Sequence, residues 1–292
     1  MGQIMMGQIM MEPIIKIEID QQTLYNADCF DVMPGISDGS VDMILVDLPY
    51  NMTGCKFDKE IIPLDKLWLE YERIIKPNGV MVFTASQPFT SKLVMSNLKL
   101  FKCEWIWEKN NSSNYVNAKL KPMKIHENIL VFSKGTYNGE KSTYNPQKTI
   151  GKPYKKKHKN YNRIDAFVQD TKKIELVKDN NGTRFPTSIQ KFGTAYYTDG
   201  RHHPTQKPLS LFEYLIKTYS NEGETILDNC AGSMTTAVAA KNTNRKSICI
   251  EKDETYFNNG ISRMTETIST ETKNETKKKI KPNTKKEVVA ES

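Results

Sequence analysis

The sequence has no long apolar run and no recognisable export signal. None of its apolar stretches approaches the roughly 18 residues that cross a bilayer. Its start repeats the letters MGQIM and lacks the basic region and small-residue cleavage site of a secretory signal. We therefore expect a soluble, cytoplasmic protein. We also expect residues 1–20 to be a flexible N-terminus, with Met6 and Met11 as alternative starts.

Cysteines and histidines are too few and too scattered for a disulfide framework or a metal site. Of the four histidines, His202 and His203 are adjacent, and no pair has the i, i+4 spacing of a helical metal site. The odd number of cysteines and the absence of a C-x-x-C pair predict reduced thiols and no bound metal. The five cysteines are Cys29, Cys55, Cys103, Cys230 and Cys249.

The chain also lacks the G-x-G-x-x-G turn of dinucleotide enzymes, which argues against NAD. The segment ETILDNCAGSMTT has a predicted strand ending at Asp228, a turn with the single glycine Gly232, and a helix start at Ser233 and Thr235. Such a helix start offers free N–H groups to a carboxylate or phosphate. Glu251 lies near the end of the next predicted strand, 23 residues after Asp228, where an acid can bind ribose hydroxyls. An ordinary Rossmann-like turn remains the alternative.

Strand and helix patterns alternate along most of the chain and predict an α/β fold with a largely parallel sheet. Apolar runs predict buried strands, and the helix LDKLWLEYERII should end at Pro77-Asn78-Gly79. The predicted strands are 22–28, 41–46, 80–85, 101–109, 126–134, 224–228 and 245–253. The other predicted helices are 90–98, 209–220, 234–242 and 253–264.

The segment SVDMILVDLPYNM ends a buried strand with an acid and an aromatic ring. The apolar strand is followed directly by Asp47, Leu48, Pro49 and Tyr50. In open α/β sheets, ligands bind just outside the carboxyl ends of the strands. The motif therefore predicts an acid and a stacking ring at the edge where chemistry takes place.

Residues 134–200 interrupt the alternation and predict an insert that is rich in Asn, Tyr and Lys. Its stretch KTIGKPYKKKHKNYNR interleaves basic residues with two tyrosines and contains no acid, a composition suited to phosphates and exposed bases. Taken alone, the stretch favours a solvated basic loop. Its candidate contacts for a polyanion are Lys155, Lys156, Lys157, Lys159 and Arg163. Residues 265–292 predict a disordered, charged tail.

Together these motifs resemble the amino-methylating DNA methyltransferases that use S-adenosylmethionine, in the group with permuted motif order. That group has a catalytic D-P-P-Y motif early and a cofactor motif D-x-F-x-G-x-G-T late, and here DLPY precedes DNCAGSMT. The segments HPTQKP, WEK and HENILVFSKG also look like family sequence. The resemblance covers about residues 22–264 apart from the insert, and beside such a core the basic stretch favours DNA.

The resemblance implies a Rossmann-like methyltransferase sheet with helices on both faces. Residues 21–133 would form the catalytic half, 134–200 the target recognition insert, and 201–264 the cofactor-binding half. The chain termini would fall between the strands that lead to Asp28 and Glu251, which makes those strands neighbours. The expected substrate is double-stranded DNA, no metal is expected, and a homodimer is left open. The expected setting is the cytoplasm of a bacterium or a phage-infected cell.

The resemblance also implies residue roles. Asp47 and a nearby backbone carbonyl, that of Leu48, would accept hydrogen bonds from the target amino group, Pro49 would stiffen the loop, and Tyr50 would stack on a flipped base. An ordinary Asx turn explains Asp28 equally well. The residues expected to bind S-adenosylmethionine are Asp28, Lys207, Asp228, Cys230, Ala231, Gly232, Ser233, Thr235 and Glu251.

Three positions depart from the family pattern. Leu48 replaces the first proline, which should loosen the loop while keeping a backbone carbonyl, and Cys230 replaces the usual Phe. Met234 replaces a glycine, which would lower cofactor affinity at a positive φ but would be harmless in the first helical turn. We predict an N6-adenine enzyme, because the N4-cytosine branch usually has Ser in place of Asp47. The alternatives are an N4-cytosine enzyme, a DNA-binding relative without catalysis, or an unrelated nucleotide-binding enzyme.

Overall fold

A mixed sheet of nine strands organises the described residues, which are 14–50, 62–135, 141–155, 179–195 and 205–265 of a computed structural model. The strands are β1 (Ile15–Ile19), β2 (Gln22–Asn26), β3 (Val41–Val46), β4 (Ile75–Ala85), β5 (Phe101–Ser113), β6 (Lys124–Ser133), β7 (Thr149–Ile150), β8 (Tyr154–Lys155), β9 (Asp179–Asn180), β10 (Thr183–Arg184), β11 (Ile189–Lys191), β12 (Thr225–Asp228) and β13 (Lys246–Glu251). The helices are α1 (Cys29–Val32), α2 (Leu64–Ile74), α3 (Phe89–Ser96), α4 (Leu209–Tyr219), α5 (Thr235–Asn242) and α6 (254–265).

The order of the strands brings four predicted site acids to one edge of the sheet. Across the sheet the order is β1-β2-β13-β12-β3-β4-β6-β5-β11. Strands β2, β13, β12, β3 and β4 are parallel, so their carboxyl ends share one edge. The acids Asp28, Glu251, Asp228 and Asp47 stand at or just after the ends of β2, β13, β12 and β3. The predicted α/β fold is confirmed, as is the neighbouring position of β2 and β13.

Helices cover both faces of the sheet. Alternate residues of the central strand β3 point to opposite faces, and apolar side chains on each face need a partner to bury them. All residues of β3 are buried. Ile44 and Val46 belong to a core cluster with α2, whereas Met43 and Leu45 belong to a second cluster with α4. Burial of each such apolar side chain contributes about 1.5–3 kcal/mol to the stability of the fold. A run without polar alternation therefore becomes a strand with apolar partners on both sides.

The structure corrects the predicted end of α2. The helix ends at Ile74, and β4 begins at the next residue and includes Pro77 and Gly79. Pairing of Ile75 with Val41 favours the strand over the helix. The proline also disfavours a helical conformation at the residue before it. The breaker residues therefore lie inside a strand rather than at the end of a helix.

The described part of the insert is tied to the main sheet. Its short strands form the pairs β7–β10 and β8–β9, and β11 runs parallel to β5 as the last strand of the large sheet. Residues 156–178, which include the second half of the predicted basic stretch, lie outside the described residues, as do 1–13 and 266–292. At the other end, β1 occupies part of the predicted flexible segment 1–20. Within the described ranges, no helix has the length and apolar character needed to span a membrane.

Candidate functional site

The carboxyl edge of the sheet opens into one cleft of about 1340 Å³. Every residue predicted for catalysis or for cofactor binding lines this cleft. They are Asp28, Asp47, Leu48, Pro49, Tyr50, Lys207, Asp228, Cys230, Ala231, Gly232, Ser233, Thr235 and Glu251. Of the predicted DNA contacts, Lys155 ends β8, and Lys156, Lys157, Lys159 and Arg163 lie outside the described residues.

Three donors hold the carboxylate of Asp47. The Tyr50 hydroxyl donates to Oδ1 across 2.6 Å, and the Thr84 hydroxyl, from the neighbouring strand β4, donates to the same oxygen. The Lys207 ammonium donates to Oδ2 across 2.5 Å. A carboxylate offers about four acceptor positions, so in the described structure Oδ2 retains one for a further donor. The group is fixed in orientation and still able to accept a hydrogen bond at the cleft.

Tyr50 is held as a neutral phenol beside Asp47. Burial raises its pKa well above the ordinary value, and the negative charges of Asp47 and Glu127 raise it further. Its ring stacks on Phe89 with centroids 5.2 Å apart and an interplanar angle of 25°. The Lys207 ammonium lies 5.5 Å from the ring centroid. The ring and the carboxylate are thereby locked together as one unit.

A buried ion network supports Asp47 from the opposite side. Lys207 is only 7% exposed, and its ammonium lies 3.6 Å from Oε2 of Glu127, which in turn pairs with Lys109 through Oε1 at 2.5 Å. Burial alone would lower the pKa of Lys207, but the carboxylates of Asp47 and Glu127 outweigh it and raise that pKa. Burial would raise the pKa of Glu127, but Lys207 and Lys109 lower it. Both shifts favour the charged forms of Lys207 and Glu127.

Sequence reasoning missed Glu127 and Lys109 as site residues and assigned Lys207 to the cofactor. Glu127 lies on β6 and Lys109 on β5, which pair antiparallel. Their segments, HENILVFSKG and WEK, resemble family sequence, but that resemblance gave neither residue a role. The available signal was a charged residue close to the buried part of a strand, which needs a partner of opposite charge.

Glu251 supports the tight turn after β12. Its Oε2 accepts the backbone N–H of Gly232 across 2.7 Å, and its Oε1 accepts that of Asp253 across 2.8 Å. Gly232 has a φ of 51°, a conformation that favours glycine. Burial raises the pKa of Glu251. Each oxygen keeps a further acceptor position, so the side chain can receive the hydroxyls of a nucleoside within the cleft.

Asp228 also holds that turn together. Its Oδ1 accepts the backbone N–H of Cys230 across 3.0 Å, and its Oδ2 accepts the Thr236 hydroxyl. Burial raises its pKa to about 7, although those two hydrogen bonds lower it. Asp228 thus fixes the shape of the turn that lines the cleft.

Asp28 forms an Asx turn and also lines the cleft. Its side chain accepts the backbone N–H of Phe30 across 3.0 Å and caps α1, as an ordinary Asx turn would. It also lines the cleft, where its Oδ2 lies 3.4 Å from the ammonium of Lys252. Capping uses Oδ1, so acceptor positions remain on Oδ2 at the cleft.

Met234 and Leu48 fit the fold by burying their side chains. Met234 precedes α5 with a φ of 58°, so it has the positive φ and does not lie in the first helical turn. Its side chain is fully buried against Gly260 of α6. Leu48 is 3% exposed and belongs to the core cluster with α2. Packing therefore restrains the loop at the position where the family has a proline.

The described residues contain no group of three or more His, Cys, Asp or Glu placed to hold a metal ion. The described cysteines are unpaired. Two of them, Cys29 and Cys230, line the cleft, and burial raises the pKa of both thiols.

Comparison with known proteins places this geometry in a family. The chain matches the family described as DNA methylase over residues 41–264, more than half of its length. It is 28% identical over 267 residues to DNA adenine methyltransferase YhdJ of Escherichia coli (strain K12). This match covers 84% of this chain and 83% of that protein. It is 25% identical over 250 residues to Type II methyltransferase M.HpaI of Haemophilus parainfluenzae, covering 81% and 72% respectively.

Two solved structures share the fold. The M1.HpyAVI–SAM complex has a TM-score of 0.55 and 22% identity, covering 83% of this chain and 98% of that one. The PvuII DNA methyltransferase (cytosine-N4-specific) has a TM-score of 0.58 and 13% identity, covering 84% and 86%. The chain therefore belongs to the DNA methylase family, the N6/N4 amino-methyltransferases that use S-adenosylmethionine.

Proposed function

We propose that this DNA methylase transfers a methyl group to N6 of adenine in double-stranded DNA. The observation that carries the proposal is the Asp47 carboxylate, fixed by three donors and able to accept one more at the cleft. We also propose that the protein belongs to the permuted group of the family, because its DLPY motif precedes its DNCAGSMT motif.

Asp47 and the Leu48 carbonyl would activate the target nitrogen. The lone pair of an exocyclic amino group is delocalised into the ring, so the nitrogen is a poor nucleophile. Acceptors for its two N–H bonds concentrate electron density on the nitrogen and stabilise the positive charge that develops there during attack. S-adenosylmethionine supplies the electrophilic sulfonium methyl. Lys207, Thr84 and the Tyr50 hydroxyl keep the carboxylate in place, so no reorganisation is needed as charge develops.

Adenine is favoured over cytosine by the acid itself. The resemblance associates Asp at this position with N6-adenine enzymes and Ser with most N4-cytosine enzymes. YhdJ, the relative with 28% identity, is an adenine methyltransferase by name. A flipped adenine would enter beside Tyr50, whose ring is already braced by Phe89.

The cofactor would lie along the edge formed by β2, β13 and β12. Glu251 would accept the ribose hydroxyls and Asp28 would contact the adenine end. The turn residues Cys230, Ala231, Gly232, Ser233 and Thr235 would surround the methionine end near the start of α5. The cleft volume of about 1340 Å³ and the open acceptor positions on Glu251 fit a nucleoside cofactor of this kind.

The insert would read the DNA. Thr194 and Ala195, at the end of its described part, line the cleft, and β11 fixes the insert to the sheet beside β5. Its residues Lys155, Lys156, Lys157, Lys159 and Arg163 would contact phosphates. We propose boundaries of 21–133 for the catalytic half, 134–200 for the insert and 201–264 for the cofactor-binding half.

Mass spectrometry of nucleosides tests the choice of base. Duplex DNA is incubated with the protein and S-adenosylmethionine, then digested and analysed. We expect N6-methyladenine with the wild type and with Asp38→Asn, an exposed acid before β3 at the opposite edge of the sheet. N4-methylcytosine would overturn the adenine assignment. No methylated nucleoside from a protein that binds the cofactor would refute the proposed activity.

A further inference from the structure

The hairpin between β5 and β6 ends in an exposed apolar tip, formed by residues 114–123. Tyr115 is 78% exposed and Leu120 is 85% exposed, and Val116 and Met123 are exposed beside them. Exposed apolar residues gathered in one place mark interaction sites, whereas scattered ones need no explanation. The tip is therefore a candidate contact surface.

The backbone of the tip is already ordered. Asn114 adopts a left-handed conformation with φ of 71°, and a 3-10 turn runs over Tyr115–Asn117. The carbonyl of Asn117 accepts the N–H groups of Leu120 at 2.9 Å and Lys121 at 3.0 Å. A preformed loop loses little conformational entropy when it binds. The apolar side chains are thus presented from a fixed frame.

The tip stands at the rim of the cleft. Ser113 and Asn114 at its start and Lys124 at its end all line that cleft. The same two strands carry Lys109 and Glu127, the outer members of the ion network that reaches Asp47 through Lys207. A ligand entering the cleft would pass the tip.

The charge of the hairpin selects the partner. The tip and the residue that follows it, residues 114–124, include three lysines, Lys119, Lys121 and Lys124, and no acid. Lys119 and Lys121 are exposed on the tip itself. Apolar side chains surrounded by cations at the mouth of a DNA methylase cleft fit a polyanion with stacked bases, which is duplex DNA.

We propose that the tip enters the duplex next to the target base pair. Tyr115 stacks on a neighbouring base, Val116 and Leu120 fill the space vacated by the extruded base, and Lys119 and Lys121 contact the flanking phosphates. Protein wedges of this type offset the cost of unstacking a base. This inference rests on the proposed DNA substrate and on base extrusion, and it is independent of whether the base is adenine or cytosine.

The test compares an intact duplex with one that is already open. The site methylated by the wild type is mapped on plasmid DNA, and two oligonucleotides are made, one fully paired and one with the target base opposite an abasic site. We expect Tyr115→Ala to lower kcat/KM on the paired duplex by about ten- to a hundredfold, the scale set by removal of one base–aromatic stack. On the abasic duplex the loss should be no more than about threefold. Tyr115→Phe should restore activity, because it keeps the stacking face.

Leu69→Ser is the matched control, since Leu69 is also exposed but lies on α2. It should leave both substrates unchanged, whereas Leu120→Ser should follow Tyr115→Ala. The affinities of each protein for the paired and the abasic duplex are measured in parallel. A wild-type protein that methylates no DNA would refute the proposed function. The effect of Tyr115→Ala on the ratio of the two affinities would still test the tip in that case. Equal losses on the two duplexes, or no loss on either, would overturn the wedge. A Tyr115→Ala protein that changes from dimer to monomer in light scattering, with equal losses on both duplexes, would assign the tip to self-association instead.

Discussion

The Lys207 ammonium lies 2.5 Å from Oδ2 of Asp47 and 3.6 Å from Oε2 of Glu127. A buried cation between two carboxylates is stable because each charge has a partner, and removal of one partner leaves an uncompensated buried charge. The arrangement links the acid at the end of β3 to the hairpin of β5 and β6. The orientation of Asp47 therefore depends on residues far from it in sequence.

Replacement of Lys207 should damage both stability and activity. Lys207→Met keeps the length of the side chain but removes the cation that pairs with Asp47 and leaves Glu127 with Lys109 alone. We expect the free energy of unfolding to fall by about 3 kcal/mol and methyl transfer to fall with it, as measured by urea unfolding and a transfer assay. Lys217→Met, at an exposed position of α4, is the control and should change neither. A Lys207→Met protein with wild-type stability would contradict the network account.

The buried carboxyl of Asp228 should make folding stability depend on pH. Its pKa in the folded protein is raised to about 7 by burial, above the roughly 3.9 of an unfolded chain. The folded state therefore binds more protons between these values, and this group's contribution to stability falls as pH rises from about 4 to about 7. Asp228→Asn should remove that contribution. The check is the urea midpoint of the wild type minus that of the variant, and this difference should fall as pH rises from about 4 to about 7. A constant difference would show that the proton on Asp228 is not linked to folding.

Met234 and Gly260 should be energetically coupled. A Cβ built on Gly260 would lie 2.3 Å from Cγ of Met234, so Gly260→Ala should destabilise the wild type. Met234→Gly removes that clash and relieves a left-handed backbone that costs about 1–2 kcal/mol, but it also removes a buried methionine worth about 2–5 kcal/mol. We expect Met234→Gly to be destabilising overall, and Gly260→Ala to cost less in that background. Additive effects in a double-mutant cycle would refute the packing of Met234 against Gly260.

The basic stretch of the insert should dominate the salt dependence of DNA binding. Alanine at Lys155, Lys156 and Lys157 together should weaken duplex binding and flatten the log–log salt slope by about 0.9 for each phosphate that is no longer neutralised. Truncation after Met264 should change little, because lysines in the tail are mixed with glutamates. Loss of binding on truncation, with binding retained in the triple variant, would be the contrary result.

Strand-end residues could be predicted because they follow local patterns. The apolar run of β3 indicated a strand with both faces covered. Parallel strands bring Asp47, Asp228 and Glu251 to one edge of the sheet whatever the order of the strands. The ion network could not be predicted in this way, since Lys207 and Glu127 meet only through the tertiary arrangement of β3, β6 and the segment before α4. The end of α2 was misplaced because strand pairing at Ile75 prevails over the local breaker residues.

Methyl transfer by Asp47→Ala, measured beside its affinity for S-adenosylmethionine, tests the central claim most directly. The carboxylate is proposed to act on the base rather than on the cofactor. Single-turnover transfer should therefore fall at least a hundredfold, the scale for removal of one preorganised group, while the calorimetric Kd for S-adenosylmethionine stays within about threefold. A variant that keeps a tenth of the wild-type rate would contradict the role given to Asp47.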